Sequence, residues 1–249
     1  MRYRVFFMSF LLLVMTIETG CSISKKDIKE TAQDYYIFGT KVYERGDYKE
    51  AQEAFQKLLN EYPDSDLRKK ALINLAESEY KNAEYDLAHF HYLKYVELYP
   101  TDPEADAVLF KAGMSNFTRL RPDDRDQGYT QEAIADFERL LLSYPRSRYT
   151  QEALSKTLFC KNKLAAHELT VGLYYFKKGA YISAIQRFDT ILTYYPHISF
   201  RDKALFYKGK SYYEEESFDK AVKVFKDFIG QYPRSALRKE AEEYLAKLK

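Results

Sequence analysis

The sequence predicts an all-α protein, a right-handed superhelical solenoid of five helix-turn-helix repeats. The main observation is a recurring Tyr-Pro pair that closes five aromatic, helix-patterned stretches. The pairs are Tyr62-Pro63, Tyr99-Pro100, Tyr144-Pro145, Tyr195-Pro196 and Tyr232-Pro233. Proline lacks a backbone N–H and disfavours a helical conformation in the residue before it, so each pair marks the end of a helix. The prolines lie 37, 45, 51 and 37 residues apart, which indicates one repeated unit with two insertions.

A second observation is that other residue types stand at fixed distances from each proline. The residue twelve positions before it is always alanine: Ala51, Ala88, Ala133, Ala184 and Ala221. The residue eight positions before it is always aromatic: Phe55, Tyr92, Phe137, Phe188 and Phe225. Further upstream stands a small residue: Gly39, Ala76, Gly113, Gly172 or Gly209. Four residues later follows an aromatic residue: Tyr43, Tyr80, Phe117, Phe176 or Tyr213.

These positions predict a unit made of helix A, a short turn, helix B and a closing proline. The small residue lets two helices approach closely, and sequences such as Gly46-Asp47 and Gly179-Ala180 supply the turn between them. The order of small, alanine, aromatic and proline positions resembles the tetratricopeptide repeat (TPR). Since all five units match, the resemblance covers the whole repeated region.

The first 20 residues are predicted to be a lipoprotein signal peptide. Arg2 and Arg4 precede an apolar run, residues 5–17, that is too short to span a membrane. Gly20-Cys21 then resembles a bacterial lipoprotein processing site, at which Cys21 becomes the acylated (palmitate-bearing) first residue, although Glu18 departs from the usual pattern. The alternative is an ordinary secretory signal followed by a free cysteine. Residues 21–33 are interpreted as a tether.

The repeats are expected to form two groups, 34–145 for repeats 1–3 and 146–249 for repeats 4–5 with a terminal capping helix from residue 235. Asp102-Pro103 is predicted to supply the N-cap and first-turn proline of the third helix A. The first insertion, eight residues long, is read as a charged loop at 119–128 between the helices of repeat 3. The second insertion adds fourteen residues without Gly or Pro, so we expect one long helix, about 148–178, to join repeats 3 and 4.

Nothing in the sequence indicates catalysis, a cofactor or a metal. It lacks a phosphate-binding glycine loop, a nucleophile elbow and a His-Glu-x-x-His motif. His89 and His91 are two residues apart and therefore point in different directions on a helix, so we interpret them as solvated or capping residues. Asp123, Asp124 and Asp126 lack the distal Glu of a calcium loop and are expected to pair with neighbouring arginines of that loop. The net charge of +2 gives no indication of nucleic acid.

Two rows of apolar residues are candidates for a binding groove. Tyr36, Ile73 and Phe110 are spaced by 37 residues, and so are Tyr43, Tyr80 and Phe117. The members of each pair lie seven residues apart, so both rows occupy one face of helix A. In TPR-like superhelices this face lines the concave groove, which would suit an extended or hairpin peptide with an apolar or aromatic end. The alternative is that these side chains form the core between repeats.

Arg187 is a candidate for holding helix B of repeat 4 to the long helix. Ile185 and Ile191 beside it are expected to be buried, and a buried arginine needs an acidic partner such as Glu168. The alternative is an exposed arginine whose stem covers the long helix.

Two stretches carry a more specific resemblance than the repeats. One comprises Arg121-Pro-Asp-Asp-Arg-Asp-Gln127 followed by Tyr144-Pro-Arg-Ser147, and the other runs from Leu164-Ala-Ala-His-Glu168 to Ala184-Ile-Gln-Arg187. Together with Gly20-Cys21, they resemble the BamD family of outer-membrane assembly lipoproteins. The resemblance implies a non-enzymatic scaffold that is lipid-anchored in the outer membrane and faces the periplasm.

The same resemblance implies partners. The N-terminal repeats would receive the C-terminal signal of unfolded outer-membrane β-barrel proteins, near the two rows described above. Repeats three to five would dock a POTRA domain of BamA near Arg125, Asp126 and Arg187, and further assembly-machinery lipoproteins are additional candidates. The alternative function is a periplasmic TPR scaffold that coordinates other cell-envelope or peptidoglycan proteins. A secreted hydrolase on a helical scaffold would need a cleft with coupled carboxylates.

Overall fold

The computed structural model describes residues 31–248, and within this range the chain forms eleven α-helices and no strand. The helices are α1 (Ala32–Glu44), α2 (Tyr48–Glu61), α3 (Arg68–Lys81), α4 (Tyr85–Leu98), α5 (Ala105–Phe117), α6 (Gly128–Ser143), α7 (Thr150–Lys177), α8 (Tyr181–Tyr194), α9 (Arg201–Glu214), α10 (Phe218–Gln231) and α11 (Arg238–Lys247). Each packs mainly against the next helix in the chain, as in a solenoid. The predicted all-α, TPR-like fold is therefore confirmed.

The small residue of each helix A makes room for the aromatic ring of its helix B. A Cβ atom built at Gly113 or Gly172 would lie 2.6 Å from the ring of Phe137 or Phe188, respectively. The corresponding distance is 2.8 Å from Gly39 to Phe55 and from Gly209 to Phe225. No larger residue fits at these four positions without displacing a fully buried ring.

The turn between the two helices of a repeat has one residue in the left-handed region. Gly46 has φ of 89° and Gly179 has φ of 74°. In two other repeats the same place is taken by Ala83 (φ 61°) and Glu216 (φ 57°), which pay a steric cost that glycine avoids. Repeat 3 has the 119–128 loop at this point instead.

Each Tyr-Pro pair ends a helix, as predicted, and a short turn then starts the next one. The Ser147 and Ser235 hydroxyls accept hydrogen bonds from the N–H two residues later, at 3.0 and 3.2 Å. Asp102 occupies the equivalent position and accepts from the Glu104 N–H at 2.9 Å. The expectation that Asp102 caps the third helix A was wrong, because α5 begins only at Ala105 and Asp102 stabilises the turn before it.

Helix α7 is one continuous helix of 28 residues, as the second insertion predicted. The apolar core of the N-terminal half, α1 to the first half of α7, extends along this helix as far as Cys160. The core of the C-terminal half, from the end of α7 to α11, begins at Leu169. The helix therefore connects two separate cores like a rod.

Helix α1 starts at Ala32, two residues before the position from which we expected the first repeat, and α11, the helix predicted to act as a cap, starts at Arg238. Within residues 31–248 no helix is long and apolar enough to cross a membrane. The predicted signal peptide, the lipidation site Cys21 and nearly all of the tether lie outside the described residues.

Candidate functional site

The candidate binding site is a cavity of about 250 Å³ on the face of α3 and α5 that carries the two predicted rows. It is lined by Glu77, Tyr80, Lys81, Tyr92, Phe110, Lys111, Met114 and Tyr149. Two of the six predicted groove residues, Tyr80 and Phe110, lie in its wall. The volume is below that of a typical small-molecule site and suits a single large side chain of a bound peptide.

The six predicted groove residues are partly core and partly surface. Phe110 is buried, whereas the other five are half-buried and pack against the apolar clusters: Tyr36, Tyr43, Ile73, Tyr80 and Phe117. The aromatic members of the set contact neighbouring rings, for example Phe117 and Phe159 with ring centres 5.6 Å apart. The five half-buried side chains contribute to the core and also offer an edge to solvent, whereas Phe110 belongs to the core, and their role in binding stays a prediction.

Tyr149 is a wall residue that sequence reasoning missed. It precedes α7, and its ring stacks on Phe110 with a centroid distance of 4.8 Å and an interplanar angle of 17°. On the other side of the cavity the Tyr80 hydroxyl lies 2.9 Å from Thr118 Oγ1. The aromatic walls are thus held in place from α5 and α7 before any ligand arrives. Tyr149 lies outside the 37-residue rows, so the repeat pattern offered no signal for it.

The charges around the cavity are asymmetric. Lys111 forms an ion pair with Glu77, while Lys81 is exposed and makes no ion pair among residues 31–248. Burial raises the pKa of Tyr92 well above its usual range, and the nearby Glu77 carboxylate adds to this shift. Tyr92 therefore stays a neutral phenol, and Lys81 is the cation available at this edge to an anionic group of a ligand.

Buried polar pairs fix the helices behind the groove. His91 Nδ1 lies 2.7 Å from Glu79 Oε2, and both side chains are nearly buried. Burial raises the pKa of Glu79, although the hydrogen bond from His91 opposes this shift. His89 Nε2 lies 2.8 Å from Asp136 Oδ2, which also accepts from Asn116 at 3.1 Å. The interpretation of both histidines as solvated or capping was wrong, because each bridges to a carboxylate on another helix.

The two insertions of the sequence meet each other in the structure. Asp123 of the 119–128 loop accepts a hydrogen bond from Lys163 Nζ at 2.7 Å, and its carbonyl accepts one from His167 Nδ1 at 2.6 Å. Both partners lie on α7 between the two apolar cores. The loop therefore braces the long helix in a stretch where Ala165 is buried but neither apolar cluster continues.

The arginine partners expected for this loop were wrong. Asp123 binds Lys163, and Arg119 instead binds Asp86 of α4 while its guanidinium stacks 3.7 Å from the centre of the Tyr129 ring. The docking candidates Arg125 and Asp126 are exposed, and Asp126 accepts a hydrogen bond from the Gly128 N–H at 3.0 Å.

Arg187 contacts the partner that the sequence indicated. Its Nη1 lies 3.2 Å from Glu168 Oε2, which joins α8 to α7. The arginine side chain is nevertheless 42% exposed, so the burial that we expected is only partial. The open part of its guanidinium remains accessible to a partner protein.

The C-terminal half fills the equivalent groove position with its own cation. Lys210 on α9 is only 17% exposed and donates to Glu240 Oε1 at 3.0 Å. Its ammonium group lies 5.5–5.8 Å from the centres of four rings: Phe176, Phe206, Tyr207 and Tyr244. Burial lowers the pKa of Lys210, but the hydrogen bonds with Glu240 and Tyr244 outweigh this, so the net pKa is raised. Sequence reasoning missed this lysine.

No cluster of three or more His, Cys, Asp or Glu side chains suitable for a metal ion occurs in the described part of the chain. Cys160 is a buried free thiol, and burial raises its pKa to about 11. Neither observation adds a chemical centre to the groove.

Comparisons with known proteins agree with the fold and with the sequence resemblance. Residues 28–217 match the family model YfiO, described as an outer membrane lipoprotein, and residues 203–235 match a tetratricopeptide repeat model. Among curated relatives, the outer membrane protein assembly factor BamD of Pasteurella multocida is 28% identical over 226 residues, which are 87% of either chain. BamD of Xylella fastidiosa strain 9a5c is 27% identical over 82% of this chain and 75% of its own.

Proposed function

The chain belongs to the YfiO family of outer membrane lipoproteins, and we propose that it is a scaffold of the β-barrel assembly machinery that couples BamA to unfolded barrel precursors. The family and its BamD relatives are non-enzymatic assembly factors that associate with the outer membrane. The observation that carries the proposal is the preformed aromatic cavity between Tyr80 and Phe110.

The cavity fits the C-terminal end of a barrel precursor. Such a segment carries an aromatic side chain and ends in a carboxylate, and the walls offer Tyr80 and Tyr149 for the ring. Lys81 at the edge is free to pair with the carboxylate. The shallow face along α1, α3 and α5 continues the site with half-buried aromatic edges, which an extended peptide can follow.

The BamA contact is assigned to the side of the molecule formed by the 119–128 loop and α8. Arg125, Asp126 and the open part of Arg187 offer charges of both signs there. Charged rims of this kind set the orientation and rate of docking more than the affinity. The 119–128 loop is held to α7 through Asp123. A domain bound to the loop would therefore also be coupled to α7, the helix that joins the two halves.

Membrane attachment is assigned to acyl chains on Cys21, with the repeats facing the periplasm. Each buried CH₂ group of an acyl chain contributes about 0.8 kcal/mol, so several chains hold a protein on a membrane without a spanning helix. Cys21→Ala should release the protein into the soluble fraction. Unchanged partitioning of this variant with membranes would refute the anchor.

The groove is tested with a fluorescent peptide that copies the last strand of a barrel protein and ends in Phe. Tyr80→Ala and Lys81→Glu should each weaken its binding by roughly tenfold. Tyr194→Ala removes an exposed tyrosine on α8, and Lys177→Glu alters the lysine at the register position of Lys81, so both controls should bind normally. Equal losses in the test variants and in the controls would overturn the groove assignment.

The scaffold role is tested by pull-down of the soluble POTRA region of BamA with the tagged, full-length chain. Arg187→Glu should reduce recovery, and it should also lower the melting temperature, because it places a second carboxylate beside Glu168, which is only 16% exposed. A variant that is normal in both binding and stability would show that Arg187 is only a surface residue. Failure of the wild-type chain to recover BamA, with recovery of peptidoglycan enzymes in its place, would favour the alternative envelope scaffold.

A further inference from the structure

Two positions on each helix A are normally covered by the helix B of the same repeat. They lie nine and thirteen residues after the preceding proline, and in three repeats they are buried: Leu72 and Ala76, Leu109 and Gly113, Leu205 and Gly209. The contacts from Phe137 to Gly113 and from Phe225 to Gly209 show that the covering element is helix B.

The first half of α7 has the geometry of a helix A but lacks a helix B. The two positions, counted from Pro145, are Leu154 and Leu158. Leu154 is 43% exposed and Leu158 is 50% exposed, and neither belongs to an apolar cluster of the described residues. We call this pair of leucines the α7 ledge.

The ledge continues the face of α7 on which α8 packs. Leu154 and Leu158 precede Gly172 and Phe176 by 18 residues, which is about five helical turns, so all four share one line along the helix. Phe188 of α8 covers Gly172. Helix α8 ends six residues after Phe188, about 9 Å further on, whereas Leu158 lies about 21 Å from Gly172. The ledge therefore lies beyond the reach of α8.

Helix α11 shows what this chain places at such positions when they face solvent. Within residues 31–248 it packs on α10 and on no later helix, and the residues nine and thirteen positions after Pro233 are Glu242 and Ala246. Both are exposed, and Glu242 pairs with Arg238 at 2.8 Å. Helix α11 thus carries a charged and a small residue where α7 carries two leucines.

The rim of the ledge is neutral. Gln151, Ser155 and Asn162 are exposed around the leucines. The nearby cations already have partners: Lys156 with Glu152, Lys161 with Glu138 and Lys163 with Asp123. The ledge therefore favours a partner surface that is apolar and uncharged over a highly charged one.

We propose that the α7 ledge docks an amphipathic α-helix of a partner protein in the place of the missing helix B. The docked helix lies in line with α8 and carries Ala, Gly or Ser against Leu158, because leucine fills the space that a glycine elsewhere leaves for an aromatic ring. A helix B from a second copy of this chain does not fit, since all five carry an aromatic residue at that point. This surface goes beyond the proposed function, because Leu154 and Leu158 belong neither to the cavity wall nor to the BamA contact assigned to Arg125, Asp126 and Arg187.

The test places a photoreactive benzoylphenylalanine at Leu158 in the full-length chain in cells, with the same residue at Ala246 as the matched control. The cross-linked peptide is then sequenced by mass spectrometry. The proposal expects a segment of another protein with helical apolar periodicity and a small residue at the attachment point. Three results would each overturn the proposal. They are cross-links to a second copy of this chain, cross-links to a segment without that pattern, and a cross-linking yield no higher than at Ala246.

A double variant, Leu154→Glu with Leu158→Ala, copies the pattern of α11 and checks that the ledge itself binds. It should reduce co-purification of the partner identified by cross-linking by roughly tenfold, with an unchanged melting temperature. Washing the wild-type complex in high salt should not release the partner, because the rim is neutral. Full retention of the partner by the double variant would overturn the proposal, and so would its release by salt.

Discussion

The two halves of the molecule are built from the same repeated unit, but the same face of helix A is open in one half and occupied by a lysine side chain in the other. In the N-terminal half, the position fourteen residues after the proline is Glu77 or Met114, and a cavity remains between Tyr80 and Phe110. In the C-terminal half the same position is Lys210, whose ammonium group lies among four rings and binds Glu240. The repeat therefore gives both halves the same groove face, and in the C-terminal half the Lys210 side chain occupies the place among the rings.

The comparison also shows where the halves are joined. Between Cys160 and Leu169 the one fully buried side chain of α7 is Ala165, and the loop contact from Asp123 to Lys163 and His167 lies in this stretch. Polar contacts tolerate small changes in geometry that a close-packed core does not. The halves are therefore expected to respond separately to mutation.

The largest effect is expected at the glycines under the aromatic rings. Gly113→Val in the N-terminal half and Gly209→Val in the C-terminal half should each reduce the free energy of unfolding by about 3 kcal/mol, because the new side chain collides with a buried ring. Hydrogen exchange should show the loss mainly in the half that carries the mutation. Gly230→Ala in α10 has nothing within 4 Å and should be neutral or stabilising. Equal loss of protection in both halves would show one cooperative unit.

The next effect concerns the filled groove. Lys210→Ala should cost about 2 kcal/mol, because it removes a largely buried ammonium group together with its ion pair to the half-exposed Glu240 and several cation–π contacts. Lys111→Ala in the open half should cost less than about 1 kcal/mol, since Lys111 is 43% exposed. Chemical denaturation of both variants measures the difference. Equal costs would remove the distinction between an open and a filled groove.

Mutation of the contact that joins the two halves should have a smaller effect on the free energy of unfolding. Asp123→Ala removes the carboxylate that binds Lys163 and should cost about 1 kcal/mol. The variant should raise hydrogen exchange in the middle of α7 more than in either core. Asp124→Ala, an exposed neighbour in the same loop, serves as the control. Unchanged exchange in α7 would show that the loop does not brace it.

Relief of backbone strain should stabilise both halves slightly. Ala83→Gly and Glu216→Gly replace residues with φ near +60° in equivalent turns, and each should add up to about 1 kcal/mol. Thermal melting would detect a small rise in both variants. A fall in melting temperature would mean that the flexibility gained by the unfolded chain outweighs the relief of strain.

Titration of the Cys160 thiol should not affect the free energy of unfolding near neutral pH, and the thiol should not react with reagents in the folded chain. Burial raises its pKa from 9.0 to about 11, so at pH 8 only about 0.1% of it is thiolate in the folded chain. Because the folded pKa is raised, its contribution to stability is complete below pH 9 and falls as the pH rises toward 11. A thiol reagent should label Cys160 only after denaturation. Rapid labelling of the native chain would show that the N-terminal core opens at α7.

Much of the fold followed from the sequence because its determinants are local. The Tyr-Pro stops, the small residue under each ring and the insertion without Gly or Pro act within one repeat or one helix. The pair His91 with Glu79 and the cage around Lys210 were not predicted, because they join helices whose relative rotation is set only by packing. Tyr149 was missed for a similar reason, as it reaches the groove from outside the repeating rows.

The most direct test uses a peptide copying a barrel C terminus whose last residue is a photoreactive phenylalanine. It is cross-linked to the purified full-length chain, and the attachment sites are mapped by mass spectrometry. The account predicts attachment around Tyr80, Met114 and Tyr149, where the groove is open. Attachment concentrated between residues 205 and 244, where Lys210 fills the groove, would contradict it.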